Sequence, residues 1–402
     1  MELIPIDMAH GGSAVARIDG KAFFVDGAMP GELVSGEIEL DKGSWGRIRL
    51  NEIVAASAQR VVPRCRHFDT CGGCQWQYAA YEAQLAWKRS TVIGQLSHLG
   101  GLRDPVVRET VARGDPFNYR NRMDFRIDGG RPALYRRRSN KLVPLIECEL
   151  LHPNLADIYP DLGNLDGVET LVLRTSVATG EVLAIINGEV PSQASAWNCQ
   201  IVQIRRDTLQ QVRGGATIEE QVAGIRFRIT GDAFFQSNTA GAEELVRLVI
   251  EAADLNHDDT LLDAYAGGGL FAATAGRESG RVIAIEINPV TAGDLQANLS
   301  RAGIEDCRVI CGSTEDIIER IDEYWDVVIA DPPRRGLGVQ GVDALTAASP
   351  RTLVYVSCDP ASLARDSRLL DDVGYRLEWV APVDMFPQTF HIESVARYTR
   401  VD

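Results

Sequence analysis

Two short runs of apolar, largely β-branched residues, at 327–330 and 353–356, predict buried parallel strands in the last quarter of the chain. Each run ends in a polar cluster. The first is followed by Asp331 and two prolines, and the second by Ser357, Cys358 and an Asp-Pro pair. Open α/β sheets bind their ligands at the carboxyl ends of the strands. We therefore expect the Asp331 carboxylate and the Cys358 thiol to face one pocket.

The sequence upstream of these runs predicts the first half of the same sheet. DDTLLDAYAGGGLFAATAG indicates a strand, a glycine turn and a helix, with Asp263, Gly267 and Gly269 in a D-x3-G-x-G spacing that lets a ligand approach the backbone. The next strand, in RVIAIEINP, ends at Glu286, and an acidic residue there can accept hydrogen bonds from both ribose hydroxyls. Together with DCRVICG and two runs in the tail, these segments predict seven strands, the last two forming an antiparallel hairpin.

Seven strands that end in these glycine turns and polar residues resemble the class I methyltransferase fold, whose cofactor is S-adenosylmethionine. A dinucleotide-dependent dehydrogenase is the rival with a similar sheet. It would normally carry G-x-G-x-x-G, whereas Leu-Phe-Ala follows Gly269 here. We predict an α/β protein with a Rossmann-like methyltransferase domain.

The first 56 residues alternate short strand-like runs with glycine turns, a pattern typical of a small OB-like β-barrel. Their segment AHGGSAVARIDGKAFFVDGAMPGE resembles the TRAM domain, an RNA-binding barrel. Residues 103–230 again alternate strand-like runs with turns and indicate a mixed, mostly β central domain. We predict a barrel at 1–56, an iron-sulfur and RNA-binding region at 57–230 and the methyltransferase domain at 231–402.

Cys65, Cys71 and Cys74 form a C-x5-C-x2-C array, in which two adjacent glycines allow the backbone to fold tightly enough for the thiolates to converge. Such clustering is typical of a metal site in a protein without disulfides. A fourth ligand is needed, and the candidates are Cys148 and Cys199. The spacing is compatible with zinc and with a [4Fe-4S] cluster, and we expect a structural role.

The net charge of −15 argues against a nucleic-acid partner, but its distribution does not. Residues 60–141 hold 16 Lys or Arg against 7 Asp or Glu, a net of +9. Arginines interleave there with Tyr119 and Tyr135, which suits phosphate contact and base stacking. A solvated hairpin explains the same pattern equally well. The chain has no apolar run of about 20 residues and no N-terminal signal pattern, so we expect a cytoplasmic protein without a membrane partner.

The motifs FFQSN, LDAYAGGG, EINP, DPPRRGL, YVSCDPASLARD and HIES occur in this order after the cysteine array and the TRAM-like segment. This arrangement is similar to the RNA uracil-C5 methyltransferase family, which makes 5-methyluridine in ribosomal or transfer RNA. The resemblance implies an RNA substrate, with 23S ribosomal RNA favoured over transfer RNA, and we expect a monomer. It also implies S-adenosylmethionine and a [4Fe-4S] cluster, with Cys148 as the fourth ligand.

The resemblance assigns two catalytic roles. Cys358 is the nucleophile, because a thiolate that adds to C6 of uracil makes C5 electron-rich enough to take a methyl group. Glu393 of HIES is the base that removes the C5 proton, while His391 is interpreted as structural. The residues implied in cofactor binding are Gln236, Tyr265, Glu286 and Asp331.

Two alternatives remain open. An amino-group methyltransferase uses a D-P-P-[YFW] loop, but Arg334 replaces the aromatic residue here and such enzymes need no thiol. A non-catalytic RNA-binding iron-sulfur protein is the second alternative. Failure to bind S-adenosylmethionine would favour it.

Overall fold

The N-terminal strands form a six-stranded sheet that curls on itself. The computed structural model describes residues 1–206 and 208–401. The sheet runs in the order β1-β5-β6-β4-β3-β2. Strands β1 and β2 lie within the first eight residues yet pair with opposite edges, β5 and β3, so the chain start draws the two edges together. The strands are β1 (Glu2–Leu3), β2 (Asp7–Met8), β3 (Ala14–Ile18), β4 (Lys21–Val25), β5 (Leu33–Asp41) and β6 (Trp45–Ala55).

A long helix, α1 (Tyr81–His98), follows the cysteine array. Its N-terminal half buries Ala83 and Trp87 in the core of the barrel. Its C-terminal half buries Val92 and Leu96 in the core of the C-terminal domain. Helix α1 therefore joins the cysteine-bearing segment to both of its neighbours.

The central region is a seven-stranded sheet in the order β13-β12-β11-β10-β7-β8-β9, antiparallel except for the β11–β12 pair. A separate hairpin of β14 and β15 follows and packs on the C-terminal core. The strands are β7 (Arg122–Asp128), β8 (Arg131–Tyr135), β9 (Leu142–Pro144), β10 (Val168–Thr175), β11 (Val182–Gly188), β12 (Gln200–Arg205), β13 (Thr208–Arg213), β14 (Thr217–Val222) and β15 (Ile225–Thr230). The helical segments here are α2 (Pro153–Ile158) and the 3-10 turns Tyr159–Leu162 and Ser192–Ala196.

The C-terminal sheet has the predicted seven strands, in the order β18-β17-β16-β19-β20-β22-β21. The first five are parallel, and β22 runs antiparallel to both β20 and β21. The strands are β16 (Thr260–Ala264), β17 (Arg281–Glu286), β18 (Cys307–Cys311), β19 (Val327–Ala330), β20 (Thr352–Ser357), β21 (Tyr375–Val383) and β22 (Glu393–Arg400). This is the class I methyltransferase arrangement, which confirms the predicted fold class.

Helices cover both faces of this sheet, and β19 and β20 are consequently buried along their whole length. The strand order reverses between β16 and β19, which places a ligand crevice at their carboxyl ends. None of the helices in the described ranges is both long and apolar enough to cross a membrane. The helices are α3 (Thr239–Ala253), α4 (Leu270–Thr274), α5 (Pro289–Arg301), α6 (Thr314–Ile318), α7 (Gly338–Thr346), α8 (Pro360–Asp372) and the 3-10 turn Ala275–Glu278.

Candidate active site

A cavity of about 910 Å³ opens at the carboxyl ends of the central parallel strands. It is lined by both predicted catalytic residues and by every residue predicted to bind the cofactor. These are Cys358, Glu393, Gln236, Tyr265, Glu286 and Asp331. The motifs come from segments up to 157 residues apart, and the sheet topology brings them to one place.

The Glu286 carboxylate is held in place by backbone amides at the tip of β17. Its Oε2 accepts from the Gly267 N–H at 2.9 Å and its Oε1 accepts from the Asn288 N–H at 2.7 Å. Each oxygen keeps a second lone pair for a ligand hydroxyl. Gly269 has φ +87°, and a Cβ there would lie 2.6 Å from Leu295 Cδ1, so only glycine fits the turn. The result is a cradle that suits an adenosine ribose.

Tyr265 has an unusual backbone for a non-glycine residue, with φ +62°. Its hydroxyl donates to Glu315 Oε1 at 2.9 Å, and Ser313 Oγ donates to Glu315 Oε2 at 2.9 Å. Glu315 also lines the cavity but was missed by sequence reasoning. The available signal was an acidic residue just past the third parallel strand, in GSTED. A strained residue held by a hydrogen bond is typical of a functional site.

Three acidic groups crowd the reactive end of the cavity. Burial raises the pKa of Asp331 to about 7, and burial together with the charge of Asp331 raises the pKa of Glu393 well above its usual range. Burial, then the Glu393 and Asp331 charges, raise the pKa of the Cys358 thiol to about 12. If the Cys358 thiol and both carboxyl groups were ionised at once, their negative charges would repel one another. A cation in the cavity would reduce this repulsion.

Arg334, from the loop after β19, donates from Nη2 to His391 Nδ1 across 2.8 Å. Burial and the Arg334 charge lower the pKa of His391 to about 4. His391 is therefore neutral and a weak base near pH 7, in keeping with the structural role predicted for it. The same guanidinium favours the charged forms of Glu393 and Cys358.

The N-terminal barrel touches the rim of the cavity. His10 Nε2 lies 3.2 Å from Asp359 Oδ2, one residue beyond Cys358. A hydrogen bond from His10 holds the pKa of Asp359 below its usual range. A Cβ on Gly12 would lie 3.0 Å from the Phe390 side chain, so the barrel loop packs closely on the segment before Glu393. The barrel therefore lies directly beside the reactive end of the cavity.

The arginines of the basic region divide into two sets. Arg137 and Arg138 pair with Asp26 of the barrel, and Arg122 pairs with Asp124, so these charges are satisfied internally. Exposed residues of the same region remain available to a ligand. They are Arg126, Arg131, Arg136 and the aromatic Tyr135.

A second cavity, of about 290 Å³, is lined by the predicted cysteine ligands Cys65, Cys71, Cys74 and Cys148. Cys199 is not among its lining residues and lies instead beside the Arg213 guanidinium. Within residues 1–206 and 208–401, no group of three or more His, Cys, Asp or Glu side chains converges to hold a single metal ion. The four predicted ligands thus line one cavity.

The fold and the cavity together define a class I methyltransferase. The family model described as tRNA (uracil-5-)-methyltransferase matches residues 198–400. An uncharacterised RNA methyltransferase of Gloeobacter violaceus is 36% identical over 99% of this chain and 96% of its own. Another, from Thermosynechococcus vestitus, is 32% identical over 99% and 98%. The chain belongs to the RNA uracil-C5 methyltransferase family, as its motifs predicted.

A solved structure supports the same conclusion. The tRNA (uracil-54, C5)-methyltransferase of Pyrococcus abyssi, in complex with S-adenosyl-L-homocysteine, superposes with a TM-score of 0.78 at 25% identity. The similarity covers 99% of this chain and 100% of the archaeal one. It therefore includes the barrel and the central region as well as the methyltransferase domain. The TRAM assignment, the iron-sulfur cluster and the individual residue roles remain predictions.

Proposed function

We propose that this protein methylates C5 of a uridine in RNA, with S-adenosylmethionine as methyl donor and Cys358 as nucleophile. The observation that carries the proposal is the shared cavity of Cys358, Glu393 and Asp331 beside the Glu286 cradle. A thiol has no role in methylation of an exocyclic amine. Its presence next to a buried carboxyl is what covalent activation of a pyrimidine requires.

The residues of the cavity fit the proposed cofactor. Glu286 would hold the ribose, and Tyr265 with Glu315 would form the wall against the adenosine. Asp331 and Gln236 would face the charged end, between cofactor and target base. When bound, the cofactor supplies an electrophilic methyl group on a sulfonium. Its positive charge is the cation that the crowded acidic groups of the cavity favour.

Cys358 begins the reaction by losing its Sγ proton to solvent, and the resulting thiolate adds to C6 of the uracil. The C5=C6 electron pair moves toward C5 and O4, and C5 then forms a bond to the methyl group, while the S–CH3 pair stays on the departing sulfur. Glu393 takes the C5 proton, the C5–H pair restores the C5=C6 bond, and the C6–S pair returns to Cys358 as thiolate. Each methyl transferred releases one proton overall.

The raised pKa of Glu393 suits the last step, because a carboxylate in a buried site is a stronger base than one in water. The low pKa of His391 makes it a poor competitor for that role. Arg334 would stabilise the negative charge that develops on Cys358 and on the pyrimidine.

A stacked base cannot enter this cavity, so we propose that the target uridine is flipped out or lies in a loop. The barrel and the exposed arginines Arg126, Arg131 and Arg136 would hold the flanking strand. We keep 23S ribosomal RNA as the favoured substrate and transfer RNA as the alternative. The Pyrococcus abyssi relative, by its name, acts on uracil 54 of tRNA. We further propose a monomer acting in the cytoplasm.

We propose a [4Fe-4S] cluster in the cysteine cavity rather than zinc. The spacing of the cysteines is compatible with both, and the family resemblance favours the cluster. A cavity of about 290 Å³ with four cysteines on its wall suits a larger group. Cys65, Cys71, Cys74 and Cys148 would hold it and stabilise the fold of the surrounding loop.

The direct test is methylation of transcripts in vitro. The protein is incubated with labelled S-adenosylmethionine and either 23S ribosomal RNA or total transfer RNA, and the digested nucleosides are analysed by mass spectrometry. We expect label in 5-methyluridine. Label in an N-methylated nucleoside would favour the amino-group alternative, and no binding of S-adenosylmethionine would favour a non-catalytic protein.

A further inference from the structure

The loop that delivers Glu393 to the cavity is held from behind by a buried charge. Residues 384–391 connect β21 to β22 and end two residues before Glu393; we call them the 384–391 loop. On one side, this loop contributes Phe386 and His391 to both the catalytic cavity and the cysteine cavity. Its position therefore shapes the walls of two sites.

On its other side, the loop is fastened by Lys88 of α1. Lys88 has 0% exposure, and its ammonium donates to Asp384 Oδ1 at 2.6 Å, to the Phe386 carbonyl at 3.1 Å and to the His391 carbonyl at 2.8 Å. All three ammonium donors are thus used. Tyr81, about two turns away on the same face of α1, donates its hydroxyl to Asp384 Oδ2 at 2.8 Å.

Further contacts come from the same part of the chain. Gln84 exchanges two hydrogen bonds with Gln388, one from each residue, both at 3.0 Å. The backbone amides of Gln75 and Trp76, just after Cys74, both donate to the Gln388 carbonyl at 3.0 Å. Val111, Tyr119 and Asn238 also bond to the backbone of this loop, so α1 and the cysteine segment supply a large share of its contacts but not all of them.

A contribution to folding stability does not explain why Lys88 and Asp384 form a buried ion pair. Replacing a buried ion pair by apolar residues of similar volume is often neutral or stabilising, because desolvation costs about as much as the attraction returns. An ammonium that donates to two loop carbonyls does what an apolar side chain cannot. It fixes the path of the backbone that leads into Glu393.

We infer that Lys88 is a positioning residue for proton abstraction: through the carbonyls of the 384–391 loop it places the Glu393 carboxyl against the C5 proton. The inference rests on the proposed function. Cys358 and Asp331 follow β20 and β19, which pair in parallel with each other and are not touched by Lys88. Glu393 pairs with Val383 at the start of β22, but it lies only two residues after the His391 carbonyl that Lys88 holds. Loss of the Lys88 contacts should therefore spare thiol addition and methyl transfer, and slow the elimination that Glu393 starts.

The test separates the two halves of the reaction by rapid quench under single-turnover conditions. Formation of S-adenosylhomocysteine reports methyl transfer, and the RNA-linked protein on a denaturing gel reports adduct awaiting elimination. For Lys88→Met we expect methyl transfer within about threefold of wild type and elimination slowed by about 100-fold, the scale of a misplacement near 1 Å. Methylated covalent complex should accumulate.

Tyr81→Phe is the milder variant, which removes one hydrogen bond to Asp384 and leaves Lys88 in place. We expect elimination slowed by about threefold, so the inference is tested even if Lys88→Met does not fold. Val92→Ala on the same helix is the matched control; it is fully buried, its side chain makes no hydrogen bond to the loop, and it should leave both steps unchanged.

The outcomes distinguish this inference from the function itself. If the variants slow both steps equally, or eliminate as fast as wild type, Lys88 is a structural residue and the inference is wrong. If wild type forms no covalent complex, the proposed function fails and the inference fails with it.

Discussion

The charge of the ligand should decide how its affinity depends on pH. S-adenosylmethionine carries a sulfonium, whereas S-adenosylhomocysteine has a neutral thioether of nearly the same shape. Burial raises the pKa of Asp331 to about 7. A cation binds the ionised carboxylate more tightly than the neutral acid. The product should be indifferent to this ionisation.

The size of the effect follows from the raised pKa. The pKa of Asp331 is about 7, whereas the usual value for an aspartate is near 4. Ionising this carboxyl in the protein therefore costs roughly 4 kcal/mol more than ionising it in water. A unit positive charge about 4 Å away returns a similar amount at an effective dielectric constant of about 20. The pKa of Asp331 should thus fall toward its usual range in the complex.

The sign follows from proton linkage. Above pH 7, Asp331 is already ionised in the free protein and the affinity for S-adenosylmethionine is constant. Below pH 7, binding must expel a proton, and the affinity falls by up to tenfold per pH unit until the pKa of the complex is reached. Between pH 8 and pH 5.5 this amounts to about 30-fold.

Isothermal titration calorimetry from pH 5.5 to 8 measures both ligands on the same protein. We expect the Kd of S-adenosylmethionine to rise toward acid pH, with proton release visible as a buffer-dependent heat, and the Kd of S-adenosylhomocysteine to stay flat by comparison. Asp331→Asn should abolish the difference in slope. Equal slopes for the two ligands in wild type would refute the role of Asp331 as the group that senses the sulfonium.

Two other predictions concern the cofactor cradle and the cysteine cavity. Glu286→Gln should weaken S-adenosylmethionine binding by about 10- to 100-fold, since hydrogen bonds to a charged acceptor contribute about 1.5–3 kcal/mol. The control is Glu82→Gln on the surface of α1, which should bind as wild type does. Calorimetry measures both variants, and an unchanged Kd for Glu286→Gln would exclude the ribose contact. After anaerobic purification, Cys148→Ser should lose the iron and the absorbance near ~400 nm that Cys199→Ser retains, and a colourless wild type containing zinc would contradict the cluster.

The sequence predicted the site best where a functional residue directly follows a buried strand. Asp331 and Cys358 follow apolar runs that leave little choice of structure, and the order of the parallel strands then brings Glu286 beside them. Periodicity and strand-end position are local signals, so they can be recognised in the sequence without knowledge of the tertiary fold. That is why the C-terminal sheet and its cavity were predicted well.

Long-range polar pairs were not predictable in this way. Lys88 and Asp384 are 296 positions apart, and His10 meets Asp359 across the whole length of the chain. In the sequence, Lys88 is an ordinary charge on an amphipathic helix, and only packing against the loop makes it buried. The two-residue strands at the chain start were also invisible, because alternation needs more than two residues to be seen.

The net charge of residues 60–141 does not show which of their arginines are paired within the protein and which are exposed. Arg137 and Arg138 pair with Asp26 of the neighbouring barrel, which neither the phosphate-binding interpretation nor the solvated hairpin predicted. Arg126 and Arg131, a few residues earlier, are exposed. The composition of the region does not separate paired arginines from exposed ones, and only the positions of the side chains do.

The central claim is that Sγ of Cys358 bonds to C6 of a pyrimidine during turnover. RNA that contains 5-fluorouridine tests it, because fluorine at C5 leaves no proton for Glu393 to remove and the adduct cannot collapse. We predict a complex of protein, methylated RNA fragment and Cys358 that survives denaturation, is mapped to that cysteine by mass spectrometry and is absent in Cys358→Ala. Full turnover by Cys358→Ser, or no stable complex with wild type, would contradict the account.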